Sequence, residues 1–470
     1  MPNTTESIDF TSYCKDESQY RGTAQSIFFP ESEEEAVRVV QTLKKENPPL
    51  TFQGGRTGFL GGAVPNGGAI VNFSKLTEIL PPQIEDGQCV LTAACGATLA
   101  DAEVVAEKIG YTLPVHPTEN TATLGGMFAT NAAGPEALYY GRFSEYVEAA
   151  DFLTPDGTLY TLQKGKESDF PKVETLSSSL LPYLESKNDT PLSFLCGKEG
   201  YLGAPLRLKL RLLPLPKELW GVVFFFEDVK MAAKFADFLK TQQKSLTDAH
   251  LVAAEFYNAE ALSLLRTHAK HPLLKALPPL PQGATAALYV ELEGETEDGV
   301  GAALEELLIE FETIGGKEEL TWAESGRAAT APFRAMRHAV PALLNETPDL
   351  YTASGFRPES DCVFCEKMPS VLLEIYTKLA QRYKLSPALY GSILDGQLHA
   401  ATTQPIEEKS ALAFVEALYQ EAIKSGGRLF SRYGIGKSNQ ALLKAFSSAK
   451  ALQQAEALRR LFDQNLRMNP

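Results

Sequence analysis

A glycine-rich loop between two short apolar runs narrows the choice of fold more than any other part of this chain. The loop reads QGGRTGFLGG over residues 53–62, and it lies between the apolar runs LTF and AIVNF. Glycine lacks a Cβ atom, so several backbone amides of such a loop can point inward together and bind a pyrophosphate. The spacing is not GxGxxG and no amphipathic helix begins here, which disfavours a nicotinamide-dinucleotide fold. A glycine-rich hairpin loop without a ligand is the alternative interpretation.

Two later segments have compositions that suit a flat, partly polar ligand. Residues 114–141, PVHPTENTATLGGMFATNAAGPEALYYG, are poor in charge and dense in threonine, glycine, alanine and asparagine. Small side chains leave room for a ring system, and hydroxyls and amides can bind its edge and a sugar chain. Residues 197–203, GKEGYLG, come directly before a predicted strand. The alternative for the longer segment is a buried loop that satisfies only its own backbone.

Size, charge and cysteine content exclude several classes of protein. A chain of 470 residues is too long for one compact core. Its net charge of −15 argues against a nucleic-acid partner, because phosphate binding needs a basic surface. No apolar run is long enough for a membrane span, and the N-terminus lacks the pattern of a signal peptide, so a cytoplasmic location is expected. The six cysteines are scattered, and the CxxC of Cys362 and Cys365 is predicted to be two partly buried thiols.

Local patterns predict many of the helices and strands. Ser32 and Glu35 have the spacing of a capping box, and a second helix is expected to begin at Thr98 and to end at Gly110. After residue 216, strands and helices alternate in a βαβ-like order, and one long helix is predicted over residues 439–465. A DG pair at 156–157 predicts a hairpin. The strands predicted before residue 216 are PLTFQ, GAIVNF, QCVLTAAC, EAADFLTP and APLRLKLRLLP.

In order and spacing, the three segments resemble the FAD domain shared by vanillyl-alcohol oxidase and p-cresol methylhydroxylase (PCMH). The resemblance covers roughly residues 20–215 and implies that FAD is the cofactor. By position, it places these residues around the pyrophosphate: Gly54, Gly55, Arg56, Thr57, Gly58, Gly61 and Gly62. It places these along the rest of the cofactor: Pro117, Thr118, Thr123, Gly125, Gly126, Asn131, Gly134, Glu199, Gly200 and Gly203. Covalently flavinylated members often carry His where Arg56 stands, so the FAD is expected to be non-covalent, with His116 a weaker attachment candidate.

The second half of the chain resembles the cap of the D-lactate, glycolate and D-2-hydroxyglutarate dehydrogenases. The segment APFRAMRHAVP looks like the pattern around a substrate-facing arginine in that family; Arg337 is the better match and Arg334 lies one turn earlier. A guanidinium can bind a carboxylate through two hydrogen bonds and so orient the α-carbon over the flavin N5. The alternative is that both arginines only solvate a helix face.

Two further segments align with motifs of that family but differ from them at individual residues. GSILDGQLH resembles GHxGDGNLH, with His399 kept, but Ser392 stands where the family has a metal-binding His and Gln397 replaces Asn. SRYGIGK resembles EHGIGK, with Arg432 in the place of a metal-binding Glu and Tyr433 in the place of the His credited with proton abstraction. One His beside an Arg is no divalent-metal site, so no catalytic metal is expected.

These sequence differences leave open which group accepts the hydroxyl proton. Arg432 could supply in fixed form the positive charge that a metal would have provided. Tyr433 is a poor base unless a neighbouring cation such as Arg432 stabilises its phenolate form. In the other interpretation Tyr433 only shapes the pocket, and His399 or the flavin itself takes the proton.

Together these patterns predict an α+β protein: a PCMH-type FAD-binding domain of two α/β subdomains, a ferredoxin-like α+β cap domain and a C-terminal helical segment. The predicted ranges are residues 1–215, 216–425 and, returning to the FAD domain, 426–470. The expected reaction is hydride transfer from a carboxylate-bearing 2-hydroxy acid, bound between cap and FAD domain, to the flavin N5. A different substrate without metal assistance, or a flavin subunit with reduced catalysis, are the alternatives. Electrons would pass to a separate acceptor (an electron-transfer flavoprotein, an iron–sulfur protein, a quinone or dioxygen), and a homodimer is possible.

Overall fold

The computed structural model of the chain divides into two compact units. It describes residues 11–18, 20–117, 119–166, 168–171, 190–243, 246, 248–350 and 358–468. Unit 1 takes in the described residues up to Gly134, Arg142–Leu215 and the residues from Arg432 onward, and unit 2 takes in Pro135–Gly141 and Pro216–Ser431. The predicted ranges differ from this in two places: residues 135–141 belong to unit 2, and the returning segment begins at Arg432 rather than at residue 426.

The first sheet of unit 1 is parallel, in the order β1-β3-β2. Its strands are β1 (Ser26–Phe28), β2 (Leu50–Gln53) and β3 (Ala69–Asn72), and helix α1 (Glu33–Glu46) connects the first two. Ser32 caps α1 by accepting a hydrogen bond from the Glu35 amide, as predicted. The buried face of α1 packs on β3 through Ala36, Val39, Val40 and Leu43. The glycine-rich loop therefore leaves from the carboxyl end of β2.

The second sheet of unit 1 is antiparallel, in the order β4-β5-β9-β7-β8. Gly157 has φ +83° in the turn between β7 and β8, so the predicted hairpin is confirmed. Alternate residues of β9 are buried, as its sequence pattern predicts. The strands are β4 (Gln83–Glu85), β5 (Gln88–Ala94), β6 (Tyr111–Thr112, paired with β9), β7 (Val147–Leu153), β8 (Leu159–Gln163) and β9 (Ala204–Pro214).

Short helices complete the described part of unit 1. A capping box of Thr98 and Asp101 begins α2, as predicted, and Gly110 follows it with φ +76°. The single long helix predicted near the C-terminus is wrong, because Ser447 adopts an extended conformation and Ser448 caps a new helix by accepting from the Ala451 amide. The helices are α2 (Leu99–Glu107), α3 (Leu124–Thr130), α5 (Pro191–Leu195), α12 (Gln440–Phe446) and α13 (Ala449–Phe462); α4 belongs to unit 2.

Unit 2 is built on a six-stranded sheet in the order β13-β10-β12-β11-β15-β16. Neighbouring strands are all antiparallel. Strands β10 and β11, which a helix connects, are parallel to each other with β12 between them, so the predicted βαβ-like order and the ferredoxin-like arrangement of the cap are confirmed. The strands are β10 (Glu218–Phe226), β11 (Ala249–Asn258), β12 (Ala286–Gly294), β13 (Thr321–Ser325), β14 (Cys362–Val363), β15 (Ala388–Ser392), β16 (His399–Ala401) and β17 (Arg428–Leu429). The helices are α4 (Ala137–Tyr140), α6 (Val229–Gln242), α7 (Ala259–Thr267), α8 (Glu297–Thr313), α9 (Arg327–Asn345), α10 (Pro369–Tyr383) and α11 (Glu408–Lys424).

One face of the unit 2 sheet carries α9. Phe333, Met336 and Val340 of α9 join a core with Val223, Phe225 and Tyr289 of the strands. Strand β12 is buried along its whole length. Among the described residues, no helix has the length and apolarity needed to cross a lipid bilayer.

Candidate functional site

The glycine-rich loop contacts the start of α3 in unit 1. The Gly55 amide donates to Thr123 Oγ1 at 3.4 Å, and a Cβ on Gly54 would lie 2.2 Å from the same oxygen. Thr123 also caps α3 by accepting from the Gly126 amide. The first two predicted segments therefore meet at Thr123, and glycine at position 54 is required by this close approach.

Gly58 and Gly62 of the loop have no such packing reason. A Cβ on Gly58 would meet nothing within 4 Å, and one on Gly62 would meet only the Gly436 Cα at 4.0 Å. Arg56 has φ +61°, in the left-handed region that helps successive amides to face one way. Its guanidinium carbon lies 4.3 Å from the Tyr13 ring centre, and Nη1 donates to the Ser12 carbonyl. The Arg56 side chain is thus held by residues 12–13, which leaves the loop backbone to face a ligand.

The 114–141 segment contains two short helices, α3 and α4, rather than a continuous loop. Gly125 allows α3 to pack on Cys95, since a Cβ there would lie 2.9 Å from the Cys95 Cβ. Asn131 ends α3 in a left-handed conformation, and its Oδ1 accepts from the Ser144 amide at 3.0 Å. Thr118 lies outside the described residues, and no specific contact identifies a role for Pro117 or Thr57. His116 Nε2 lies 3.7 Å from Glu103 Oε2.

The third segment is joined to α3 by backbone hydrogen bonds. The Gly197 amide donates to the Phe128 carbonyl at 2.9 Å, and the Glu199 amide donates to the Ala129 carbonyl at 2.7 Å. Gly203 has φ +138° and packs against β7, where a Cβ would lie 2.2 Å from the Leu153 carbonyl oxygen. The glycine-rich loop, residues 114–134 of the second segment and the third segment are therefore connected within unit 1.

Glu199 binds the returning C-terminal segment through its carboxylate. Oε1 accepts from the Ile435 amide at 2.6 Å and Oε2 accepts from the Gly436 amide at 2.8 Å. Gly434 has φ +90°, and a Cβ there would lie 2.3 Å from Glu199 Oε1. This contact joins the EGYLG element to the GIGK element, which sequence reasoning had treated separately.

Arg432 and Tyr433 lie beside the predicted flavin segments of unit 1. Arg432 is buried, and its Nη2 donates to the Gly134 carbonyl at 2.8 Å. The Tyr433 ring packs edge-on against Phe59 of the glycine-rich loop, with 6.1 Å between ring centres. Arg432 therefore holds the end of the 114–134 stretch, and Tyr433 adjoins the loop predicted to bind the pyrophosphate.

Lys198 is a basic residue of unit 1 that sequence reasoning missed. It lies between the two backbone hydrogen bonds of the third segment, and its ammonium is 5.0 Å from the Phe194 ring centre. Burial lowers the pKa of Lys198 to about 8. Its position inside GKEG was the only signal in the sequence.

In unit 2, two arginines of α9 pair with buried carboxylates in different ways. Arg337 Nε lies 3.0 Å from Glu255 Oε2 of β11. Arg334 donates from Nε to both oxygens of Glu291 at 3.0 and 3.1 Å, and from Nη2 to Oε2; its Nη2 also lies 3.7 Å from Glu136. Glu255 and Glu291 are fully buried. Neither arginine therefore solvates a helix face.

The same face of β12 carries further acidic and phenolic groups. Tyr289, Glu291 and Glu293 alternate along the strand and so share one face. Tyr140 donates to Glu293 Oε2, and burial raises the pKa of Glu293 to about 7, helped by nearby Glu291. Burial also raises the pKa of Glu291. Sequence reasoning missed these carboxylates, although acidic residues at alternate positions of an apolar strand were a readable signal.

His399 of β16 lies in a small polar network of unit 2. Its Nδ1 is 3.1 Å from the Ser360 carbonyl and 3.4 Å from Glu359 Oε1, which accepts from Tyr390 Oη at 2.5 Å. A carbonyl only accepts, so Nδ1 carries the proton and Nε2 is the nitrogen that can take one.

The neighbouring positions of the GSILDGQLH segment are also hydrogen-bonded. Ser392 donates to Asp395 at 2.8 Å, and Gln397 Nε2 lies 3.4 Å from Asp361 Oδ1. No group of three or more His, Cys, Asp or Glu residues in the described ranges has a geometry that could hold a metal ion. The described cysteines are all free thiols, with Cys362 buried and Cys365 half-buried.

Comparison with known families accounts for most of the chain. Residues 24–163 match the FAD binding domain family, and residues 215–470 match the C-terminal domain of FAD linked oxidases. The chain belongs to the FAD-linked oxidases. It is an oxidoreductase whose cofactor is FAD, and the mixed helix and sheet fold agrees with the expected class.

Several relatives of this FAD-linked oxidase match along nearly their whole length. A D-lactate dehydrogenase from Anaerostipes hadrus is 27% identical over 98% of this chain and 92% of its own length. A D-2-hydroxyglutarate dehydrogenase from Xanthomonas citri pv. viticola is 26% identical, covering 99% and 93%, and a glycolate oxidase subunit from Bacillus subtilis is 23% identical, covering 96% and 89%. Among solved structures, an alkyldihydroxyacetonephosphate synthase has a TM-score of 0.61 at 15% identity, covering 96% of this chain and 77% of its own. That likeness shows the fold.

The residues of unit 1 fit FAD. Gly58 and Gly62 border open space, so the loop offers backbone amides to a ligand without obstruction by Cβ atoms. Thr123 and Asn131 add hydroxyl and amide groups on the neighbouring segment. A pyrophosphate and a sugar chain need this combination of amides, hydroxyls and little steric bulk.

Proposed function

We propose that this FAD-linked oxidase converts a 2-hydroxy acid into the corresponding 2-oxo acid. Near-full-length similarity to relatives named D-lactate dehydrogenase, D-2-hydroxyglutarate dehydrogenase and glycolate oxidase subunit carries this proposal. Lactate, 2-hydroxyglutarate and glycolate share a hydroxyl group on the carbon next to a carboxylate. FAD, when bound, accepts the hydride from that carbon.

Arg337 is proposed to bind the substrate carboxylate. Arg334 donates hydrogen bonds to both oxygens of Glu291, and it also lies near another carboxylate, that of Glu136. These contacts engage its guanidinium group within the protein. Arg337 is paired with a carboxylate at its Nε side. Because a guanidinium has two terminal nitrogens beyond Nε, it can keep such a pairing and still bind a carboxylate. Arg337 is also the better match to the substrate-facing arginine of the family that the second half resembles, and this match favours Arg337 over Arg334.

The hydroxyl proton is proposed to go to His399 Nε2. The Ser360 carbonyl at Nδ1 fixes the tautomer, and Glu359 beside the ring stabilises the imidazolium that forms. Tyr433 Oη is the second candidate for the same step, with Arg432 as the neighbouring positive charge in place of a metal. Arg432 is held by the Gly134 carbonyl, which supports a positioning role as well.

The FAD is proposed to be bound without a covalent link. Arg56 stands where covalently flavinylated relatives often carry His, and its side chain is held by Tyr13 and Ser12. Acid precipitation of the purified yellow protein should leave the flavin in the supernatant. Flavin that stays in the protein pellet would contradict this and would point to His116.

A separate electron acceptor completes the proposed cycle. The six scattered cysteines do not form an iron–sulfur run. An electron-transfer flavoprotein, an iron–sulfur protein, a quinone or dioxygen could reoxidise the flavin. The cytoplasmic location and the homodimer remain predictions of the sequence.

Anaerobic reduction of the bound flavin tests the proposed substrate class. The FAD-loaded protein is mixed with D-lactate, glycolate, D-2-hydroxyglutarate or ethanol, and the visible flavin absorbance is followed. At least one of the hydroxy acids should bleach the flavin, and ethanol should not. Bleaching by a non-carboxylate alcohol or an amine alone would favour a different substrate. A yellow protein that no hydroxy acid or alcohol bleaches would favour the flavin-subunit alternative.

A further inference from the structure

A cavity in unit 1 has a lining that suits an anion. Its volume is about 600 Å³, and three basic residues line it: Lys437, Arg459 and Arg467. No carboxylate among the described residues belongs to its lining, whereas the chain as a whole carries a net charge of −15. The remaining lining is largely polar, with asparagine side chains from three parts of the chain.

This cavity lies at the opposite end of β2 from the glycine-rich loop. Pro49, before the strand, lines the cavity, whereas Gly54 follows the last residue of the strand. Five extended residues span roughly 16 Å. None of the lining residues falls within the loop of residues 53–62 or the segment of residues 114–141. The cavity and the loop are thus formed by different residues, and they adjoin at Lys437, whose amide donates to the Leu60 carbonyl of the loop at 2.6 Å.

Both arginines have unused hydrogen-bond donors. Arg467 is only 6% exposed; its Nε lies 3.4 Å from Asp463 and its Nη2 donates to the Pro155 carbonyl, but Nη1 has no acceptor among the described residues. Arg459 donates from Nη2 to the Met468 carbonyl at 2.7 Å, but its Nε has no acceptor there either. Buried donors without an acceptor are rare because leaving one unsatisfied is costly. Two of them among the lining residues of one cavity can donate to an anion bound there.

The positions of the cations are fixed by neighbouring groups. The Arg459 guanidinium carbon lies 4.7 Å from the Tyr201 ring centre, and Gln440 Nε2 donates to Tyr201 Oη at 2.9 Å. Asn465 donates to the Asn47 side chain at 2.8 Å, which ties the C-terminal part of the lining to the end of α1. Burial lowers the pKa of Lys437, with nearby Asp16 acting in the opposite direction. An ammonium that has lost hydration gains more from an anionic partner than an exposed one does.

We propose that this cavity binds a phosphorylated small molecule with at least two negative charges, at a site separate from the glycine-rich loop. A volume of about 600 Å³ exceeds what inorganic phosphate needs and falls within the usual range for small-molecule sites. Phosphate oxygens can accept from several guanidinium and ammonium donors at once, and the asparagine amides suit the hydroxyls of the rest of the molecule.

Calorimetric titration of the FAD-loaded protein with inorganic tripolyphosphate, at constant ionic strength, tests the proposal. Saturable binding is expected. Arg459→Gln should weaken it at least tenfold, whereas Arg460→Gln, which alters an exposed arginine paired with Glu456, should change it less than twofold. Asn66→Asp places a negative charge in the lining without removing a side-chain hydrogen bond seen for Asn66, and it should weaken binding at least tenfold as well.

Three results would overturn the proposal. The first is the absence of saturable binding to the FAD-loaded protein. The second is an equal effect of the Arg459 and Arg460 substitutions, since that would indicate non-specific attraction. The third is binding only to the apoprotein with displacement by added FAD, which would make the cavity part of the cofactor site.

Discussion

At the scale of single residues, the two arginines of α9 show why a sequence match needs a structure beside it. Both belong to the segment that resembles a substrate-facing pattern, and both are paired with buried strand carboxylates. Buried ion pairs contribute little net stability, but removing one partner is costly. The hydrogen bonds from Arg334 to both oxygens of Glu291 favour a structural role for Arg334, whereas the substrate role proposed for Arg337 rests on its match to the family pattern.

Replacing Arg337 by Lys should raise the KM for a hydroxy acid by about 10- to 100-fold, which corresponds to losing one charged hydrogen bond of about 1.5–3 kcal/mol. Lysine keeps a positive charge beside Glu255 but lacks the planar guanidinium group that can donate two parallel hydrogen bonds to a carboxylate. The matched variant Arg334→Lys should change KM less than threefold. Steady-state kinetics with both purified variants check this, and a larger KM effect at Arg334 would assign the substrate to the other arginine.

His399→Gln should slow anaerobic flavin reduction by about 100-fold or more, because a general base contributes about 10²–10⁴ in rate. The glutamine amide fills a similar volume but cannot take a proton, so the absorbance spectrum of bound FAD should stay unchanged. Tyr433→Phe should slow reduction less than tenfold. Stopped-flow measurement on both variants decides between the candidates, and the reverse ranking would make Tyr433 the base.

Glu293 gives a pH dependence with a defined sign. Its folded-state pKa of about 7 lies above the ordinary value of 4.5, so the folded protein holds the proton more tightly. The stabilising contribution is full below about pH 4.5 and is lost as pH rises through about 7, by about 3 kcal/mol at most. Glu293→Gln should therefore raise the free energy of unfolding at pH 8 relative to the wild type and have little effect at pH 5.

Urea unfolding at the two pH values measures this difference. Glu295→Gln is the control, because Glu295 follows the same strand but is exposed and pairs with Lys217. Equal effects of Glu293→Gln at pH 5 and pH 8 would rule out the buried proton.

Among the structural elements, the EGYLG segment holds the backbone of the GIGK segment, because the Glu199 carboxylate accepts hydrogen bonds from two of its amides. Gly434→Ala should weaken FAD binding at least tenfold, because the new Cβ would displace the Glu199 carboxylate from the amides it binds. Gly67→Ala is the matched control: Gly67 has φ +85° with nothing within 4 Å, so it adds similar backbone strain without the clash. Flavin fluorescence during reconstitution of the apoproteins gives both dissociation constants. Equal losses would mean that strain alone matters.

Much of the local structure could be predicted because its causes are local. The capping residues of α1 and α2 and the glycine of the β7–β8 turn act on their immediate neighbours in the chain. The break at Ser447 was missed because serine tolerates both a helix interior and a cap, and the apolar spacing continues across it. The parallel directions of β10 and β11 agree with the predicted βαβ-like order, but the insertion of β12 between them was not predicted, because the order of elements along a chain does not fix the order of strands in a sheet.

The candidate site was predictable to the extent that it consists of glycines and short motifs. The glycine-rich loop, Thr123 and the GKEG segment were recognised in advance, and the structure connects them. The carboxylates Glu255, Glu291 and Glu293 were not, since their partners lie far away in the sequence. The acidic residues at alternate positions of β12 were visible in the sequence, but one sequence does not identify the distant residues with which they pair.

In the molecule as a whole, the seven residues Pro135–Gly141 belong to unit 2, although the residues directly before and after them belong to unit 1. Glu136 and Tyr140 account for this, because they pair with Arg334 and Glu293 of unit 2. This segment directly follows Gly134, whose carbonyl accepts a hydrogen bond from Arg432. A division of the sequence into long continuous domains cannot show that a short segment belongs to a different unit from its neighbours in the chain.

We propose that bound FAD is reduced by a hydroxy acid whose carboxylate Arg337 binds. Anaerobic stopped-flow reduction with the best hydroxy acid and with its uncharged amide, in the wild type and in Arg337→Lys, measures this directly. The wild type should reduce at least 100-fold faster with the acid than with the amide at equal, subsaturating concentrations, and Arg337→Lys should lose most of that preference. Equal rates with acid and amide in the wild type, or a preference unchanged in Arg337→Lys, would contradict the account.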